Sequence, residues 1–226
     1  MSTIGIIGSG NIGSVLAQLS VDAGHDVVIA NSRGPQSLAD LVGRLGERAR
    51  AGTVAEAAAA GDLVVVTIPL GRVQDLPADL LDGKVVVDTC NYYPERDGDT
   101  AVLDSHELTT SELVQRHFAG ARVVKAFNNI FAQNLGELQR PAGAADRTTL
   151  VIAGDDDAAE QAVAEFIDSI GYDVFDIGGL ADSWRVQRDQ PGYAPAYTVS
   201  GDPAEPRRLT REDLERLLEQ ADRSVR

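Results

Sequence analysis

The segment Thr3-Ile4-Gly5-Ile6-Ile7-Gly8-Ser9-Gly10-Asn11-Ile12-Gly13 runs from an apolar strand directly into a glycine turn and then into a helix. Its GxGxxG carries meaning only in this strand–turn–helix context, where it is the dinucleotide-binding fingerprint. Gly8 permits the tight turn, Gly10 lets the backbone approach a pyrophosphate, and Gly13 lets helix pack close to strand. The diphosphate then meets unpaired N–H groups at the positive end of the helix. About 20 residues further on, an NAD site places an acid to hold the ribose 2′-hydroxyl. This chain has Asn31-Ser32-Arg33-Gly34 there. A carboxylate would repel a 2′-phosphate, whereas a neutral amide, a hydroxyl and a guanidinium would bind it, so the reading is NADP(H).

Outward from this segment, apolar runs alternate with helical patterns. Asp26–Ala30, Leu63–Ile68, Lys84–Asp88, Arg122–Phe127, Thr148–Ala153 and Tyr172–Ile177 read as strands. Ile12–Ala23, Gln36–Ala49, Val54–Ala60, Ser111–Phe118, Ile130–Gln139 and Asp157–Ile170 read as helices, and Thr53-Val54-Ala55-Glu56 is a capping box. The expected fold class is α/β: a doubly wound, mostly parallel sheet with a small C-terminal lobe from about residue 130. Residues 1–177 form the dinucleotide-binding unit. Residues 178–226 form an irregular, aromatic and proline-rich tail, closed by a surface helix at Thr210–Arg223 with Leu214, Leu217 and Leu218 as its stripe. Trp184, Tyr193 and Tyr197 are too apolar for a solvated linker. The tail is expected to fold over the strand edge beside Asn91–Pro94 and Ala126–Asn129, within one protomer or against a homodimer neighbour. Its removal after Ser183 is expected to spare dinucleotide binding.

A net charge of −15 repels phosphate backbones and anionic bilayers, which argues against nucleic-acid and membrane partners. The longest uncharged apolar run, Leu63–Leu70, is far short of the ~20 residues of a bilayer span. Met1-Ser2-Thr3 lacks a basic leader region, and a single cysteine, Cys90, excludes an intramolecular disulfide, so a cytoplasmic location is expected. Asp155-Asp156-Asp157 precedes a helix and reads as a cap rather than a metal site; no metal is expected. Cys90 reads as a small strand-end residue, and His25 beside Gly24 as a solvated turn residue.

Several segments together resemble the coenzyme F420-dependent NADP oxidoreductases, within the wider group of pyrroline-5-carboxylate reductase-like Rossmann enzymes. They are Ile4–Gly13, Asn31-Ser32-Arg33, Val123-Val124-Lys125-Ala126-Phe127-Asn128-Asn129-Ile130, Ile152-Ala153-Gly154-Asp155-Asp156 and Asp176-Ile177-Gly178-Gly179-Leu180. The resemblance implies that Ser9, Asn11 and Ile12 line the pyrophosphate and that Ser32 with Arg33 takes the 2′-phosphate. It implies that Ile68, Pro69 and Leu70 border the nicotinamide ribose. Ala126, Phe127, Asn128 and Asn129 would lie near the ring and position the hydride, with a second flat cofactor docked against the nicotinamide. Asn91 follows strand five on the edge where ligands bind in open sheets. The chain continues past Arg185, where the usual members end.

Hydride transfer between two flat cofactors needs face-to-face rings and little protein acid–base chemistry. Reduction of a small carbonyl compound needs a general acid at hydrogen-bond distance. Lys125 lies mid-strand, and His25, His106 and His117 lie in turns or polar stretches, so no catalytic residue is assigned. The expected activity is hydride exchange between NADP(H) and a deazaflavin of the F420 type. Reduction of a small imine or carbonyl compound and non-catalytic NADP(H) sensing are the alternatives.

Overall fold

Valine and isoleucine recur in short runs whose alternate side chains fall on opposite faces of a sheet. In β1 (Thr3–Ile7), Ile4 and Ile6 join one core while Ile7 joins the other. β2 (Asp26–Ala30), β4 (Leu63–Val66), β5 (Val85–Asp88) and β6 (Arg122–Ala126) divide in the same way. Burial on both faces is the mark of a sheet covered by helices on each side. The computed structural model describes residues 1–224; with β3 at Ala49–Ala51, β7 at Thr149–Gly154 and β8 at Asp173–Asp176, its described residues form eight strands in the order β3-β2-β1-β4-β5-β6-β7-β8. Pairing is parallel through β6. β7 (Thr149–Gly154) runs antiparallel to β6, and β8 (Asp173–Asp176) runs parallel to β7. The C-terminal ends of β1, β2, β4, β5 and β6 therefore share one edge, the ligand edge of a doubly wound fold.

α1 (Asn11–Asp22), α7 (Ala132–Glu137) and α8 (Asp157–Ser169) contribute to the larger core. α3 (Val54–Ala60) and α6 (Thr110–His117) contribute to the other. The Thr53–Glu56 capping box opens α3 as expected. Three expectations need correction. The single helix expected over Gln36–Ala49 is a 3₁₀ turn, Pro35–Leu38, followed by α2 (Ala39–Leu45). Gly46, at φ 84°, ends α2, and Ala49–Ala51 becomes β3 beside β2. The helix expected at Ile130–Gln139 is trimmed to α7, whose end is held by the Arg140 guanidinium donating to the Glu137 and Gln139 carbonyls. His25 is buried rather than solvated, lying 2.9 Å from the hydroxyls of both Ser2 and Ser169, and burial lowers its pKa. Two short helices not read from the sequence, α4 (Pro94–Asp97) and α5 (Ala101–Asp104), follow β5.

The tail returns to the sheet. A 3₁₀ turn at Leu180–Val186 and another at Ala194–Tyr197 lead to α9 (Arg211–Glu219), capped by Thr210 with Asp213. Tyr197, Leu209 and Leu214 are wholly buried in the larger core, joined by Leu218. The Thr149 N–H donates to the Leu209 carbonyl at 2.9 Å, and the Tyr197 hydroxyl donates to the Thr149 carbonyl at 3.1 Å. The tail thus completes a core, so its removal bears on folding as well as on turnover, which argues against dinucleotide binding being spared. Among the described residues, no helix is long and apolar enough to cross a membrane.

Candidate functional site

The turn after β1 is built by close approach. A Cβ on Gly8, whose φ is 121°, would meet the Thr67 carbonyl oxygen at 2.2 Å. One on Gly13 would meet the Gly8 carbonyl oxygen at 2.1 Å. These two glycines are demanded by the packing of α1 on β1 and β4. Gly10 differs, because a Cβ there would meet nothing within 4 Å. It is the N-cap of α1 and supplies no side-chain hydrogen bond, and the first turn carries no acid. The leading N–H groups of a helix have no partner within the helix. At α1 the open space beside Gly10 lies at this positive helix end, an arrangement that suits a diphosphate.

A cavity of about 340 Å³ lies over this turn. It brings together Gly8, Ser9, Gly10, Asn31, Ser32, Arg33, Ile68 and Pro69 of the residues singled out from the sequence. Asn11, Ile12 and Gly13 form the first turn of α1 beside it, and Leu70 is buried at the start of the 3₁₀ turn Leu70–Asp75. Asn31 acts as a strut: its Nδ2 donates to Ser9 Oγ at 3.1 Å and to Ser37 Oγ at 2.9 Å. Its Oδ1 accepts the Arg33 N–H at 2.9 Å. The turn that presents Ser32 and Arg33 is thereby pinned to the glycine loop. The Arg33 guanidinium is exposed and makes no hydrogen bond or ion pair among the described residues. The lining also includes Val54, Thr67, Arg72, Asp75 and Leu76, which the sequence reading missed. Their signal was position alone: all lie after β3 or β4, at the same sheet edge.

Along that edge, β5 and β6 end in a polar lattice. Asn91 Nδ2 donates to the Asn128 carbonyl at 2.8 Å, and Asn128 Nδ2 donates to Asn91 Oδ1 at 3.3 Å. Phe127 between them has φ 59°, a left-handed conformation that costs a bulky residue about 1–3 kcal/mol. Its ring is buried edge-on to Phe166, so core packing offsets the strain. Ala126, Phe127, Asn128 and Asn129 are all buried, and the two amides reach into the tail. Asn128 Nδ2 donates to the Val186 carbonyl at 2.9 Å and Asn129 Nδ2 to the Gly192 carbonyl at 3.0 Å. Tyr93 and Tyr193 hydroxyls meet at 2.5 Å, and Arg188 pairs with Glu95 at 2.6 Å. Asn129 Oδ1 is buried with no hydrogen-bond partner among the described residues.

Beneath the lattice lies a buried charge pair. Lys125 Nζ donates to Asp88 Oδ2 at 3.0 Å, to Thr110 Oγ1 at 3.2 Å and to the Cys90 carbonyl. Asp88 also accepts from the Cys90 N–H and the Ser111 hydroxyl, both at 2.8 Å. The Cys90 thiol is buried against the Ile68 carbonyl, and burial pushes its pKa well up, which makes it a poor nucleophile. Asp156 caps α8 by accepting the Ala159 N–H at 2.8 Å. Trp184 lines a second cavity of about 260 Å³ with Tyr92, Arg188 and Arg223, away from the glycine turn.

The family model described as NADP oxidoreductase, coenzyme F420-dependent, matches residues 3–92. An F420-dependent NADP reductase of Methanothermobacter thermautotrophicus is 31% identical over 205 residues, covering 81% of this chain and 84% of that protein. Among solved structures, a hypothetical protein of Sinorhizobium meliloti superposes with TM-score 0.75 at 34% identity, over 86% of this chain and 94% of that one. An Arthrobacter sp. protein assigned as an F420-dependent NADP reductase gives TM-score 0.66 at 27% identity, over 81% and 87%. With such a relative aligned over most of both chains, and with the glycine turn and doubly wound sheet in place, the chain belongs to the coenzyme F420-dependent NADP oxidoreductase family and is an NADP-dependent oxidoreductase.

Proposed function

We propose that the protein transfers hydride between NADP(H), held in the cavity over the glycine turn, and a deazaflavin of the F420 type presented at the ends of β5 and β6. The observation that carries this reading is the exit of β2: a neutral amide, a hydroxyl and an unpaired guanidinium stand where an NAD site keeps its acid. The two cofactors supply the reactive carbon atoms. The N–H groups of Asn11, Ile12 and Gly13 hold the diphosphate, and Ser32 with Arg33 holds the 2′-phosphate. Ile68, Pro69 and Leu70 border the nicotinamide ribose. Ala126–Asn129 and Asn91 fix the floor on which the rings meet, and the tail holds that floor still. Positioning of this kind is the main catalytic device the chain offers.

The test is turnover with purified protein. NADPH should be oxidised when a deazaflavin is added and not without it. Arg33→Ala should weaken NADPH binding by about 1.5–3 kcal/mol, the range for a hydrogen bond to a charged group, and leave NADH binding little changed. NADPH oxidation by an imine or ketone with no response to the deazaflavin would replace the second substrate.

A further inference from the structure

In the order β3-β2-β1-β4, the strand that feeds the glycine turn lies between β2 and β4. The cavity over the end of β1 therefore has two flanks, one from each neighbour. Arg33 comes from the β2 side. Arg72 comes from the β4 side, in the 3₁₀ turn Leu70–Asp75. Apart from Asp75, no other charged side chain lines this cavity among the described residues. We infer that Arg72 is a second cation for the 2′-phosphate of NADP(H), parked on Asp75 when the cavity holds no phosphate. The inference rests on the reading of this cavity as the NADP(H) site and assigns the flank opposite Arg33.

The parking contact is a salt bridge at 2.7 Å between side chains that are 70% and 52% exposed. An exposed pair of this kind contributes little, because water and salt screen it and two long side chains are immobilised. A phosphate carries nearly twice the charge of a carboxylate and can take a guanidinium through two parallel charge-assisted bonds, against the one contact to Asp75. Exchange of Asp75 for a phosphate dianion gives up a weak pair for a stronger one, and Arg72, an exposed side chain lining the same cavity as Arg33, unpacks no buried side chain in moving. A second guanidinium also answers a difficulty of the whole chain. At a net charge of −15, an anionic ligand is opposed by the distant field and must be held by donors close at hand. Asp75 has a cost in the same cavity, since its carboxylate lines it and is left without its counterion once Arg72 moves to an anion.

The experiment titrates the full chain with NADPH and, separately, NADH at one fixed ionic strength, for the wild type and for Arg72→Ala, Asp75→Asn and Arg33→Ala. Arg72→Ala should weaken NADPH roughly tenfold, as expected for loss of a charge-assisted contact at an exposed site, and NADH less than about twofold. Asp75→Asn should tighten NADPH by about threefold and leave NADH unchanged, because it frees Arg72 and removes a like charge. Equal weakening of both cofactors by Arg72→Ala would assign the residue to the adenosine or diphosphate and overturn the inference, as would no change in either. Arg33→Ala separates the two levels of the argument. If it leaves the NADPH-to-NADH preference at the wild-type value, the reading of the cavity fails; if it abolishes the preference while Arg72→Ala does not alter it, the role of Arg72 alone fails.

Discussion

Lys125 and Asp88 stand opposite each other in the β5–β6 register, with side chains 1% and 0% exposed. Taking two charges out of water costs several kcal/mol per ion, which their attraction repays only when the remaining donors and acceptors are satisfied. Here they are: Thr110, Ser111 and the backbone of Cys90 complete the set. Removal of one partner leaves an uncompensated buried charge. Lys125→Met should therefore destabilise the protein by about 3–5 kcal/mol in denaturant titration, and Lys125→Met with Asp88→Leu should recover much of that loss. If the double variant is no more stable than the single one, the pair acts through packing instead. Neither member could be matched to the other from the sequence. The glycine turn is legible because its residues are neighbours in the chain and each has a steric task. Asp88–Lys125 and Arg33–Arg72 are joined only by strand order and register, which local patterns do not encode.

Elements whose signals were local came out close to expectation. The buried valine-rich strands and α1 needed only periodicity, and α3, α6 and α8 periodicity and a side-chain cap. β3 was missed because Ala49–Ala51 is too short to show a period, and a left-handed Gly46 converts what reads as one long helix into helix and strand. The start of α8 carries a property visible only once the chain is folded. Burial, then the nearby Asp176 and Asp157, raise the Glu160 carboxyl from 4.5 to about 7. The folded state thus holds this proton more tightly than the unfolded chain does. The stabilisation is complete below the unfolded value of 4.5 and is lost as pH rises through about 7. Glu160→Gln should flatten that fall and raise stability at pH 8 by about 1 kcal/mol, a figure reduced for solvent screening. Parallel stability profiles for the two proteins between pH 4 and 8 would show that Glu160 is not the group that titrates.

Over the whole molecule, the doubly wound sheet was readable from the alternation of strands and helices, whereas the reach of the tail was not. Its aromatic residues announced burial, but their place depends on β7 running against β6 and offering Thr149 to Leu209 and Tyr197. Truncation after Ser183 removes Tyr197, Leu209, Leu214 and Leu218 from the larger core. At about 1.5–3 kcal/mol for each buried apolar side chain, the loss is comparable to the ~5–15 kcal/mol stability of an ordinary domain. The truncated chain should show no cooperative thermal transition; a sharp transition with NADPH affinity retained would make the tail dispensable. The same closure has a meaning in time. A chain leaving the ribosome can pair its first strands early, yet β7 waits for Leu209 through Leu218 to emerge. At about 5–20 residues per second that wait is on the order of seconds. Throughout it the part of the larger core that Tyr197, Leu209 and Leu214 complete stays open to water, an apolar patch that can stick to other chains. Folding yield should therefore respond to how well the nascent chain is shielded while residues 155–218 are made.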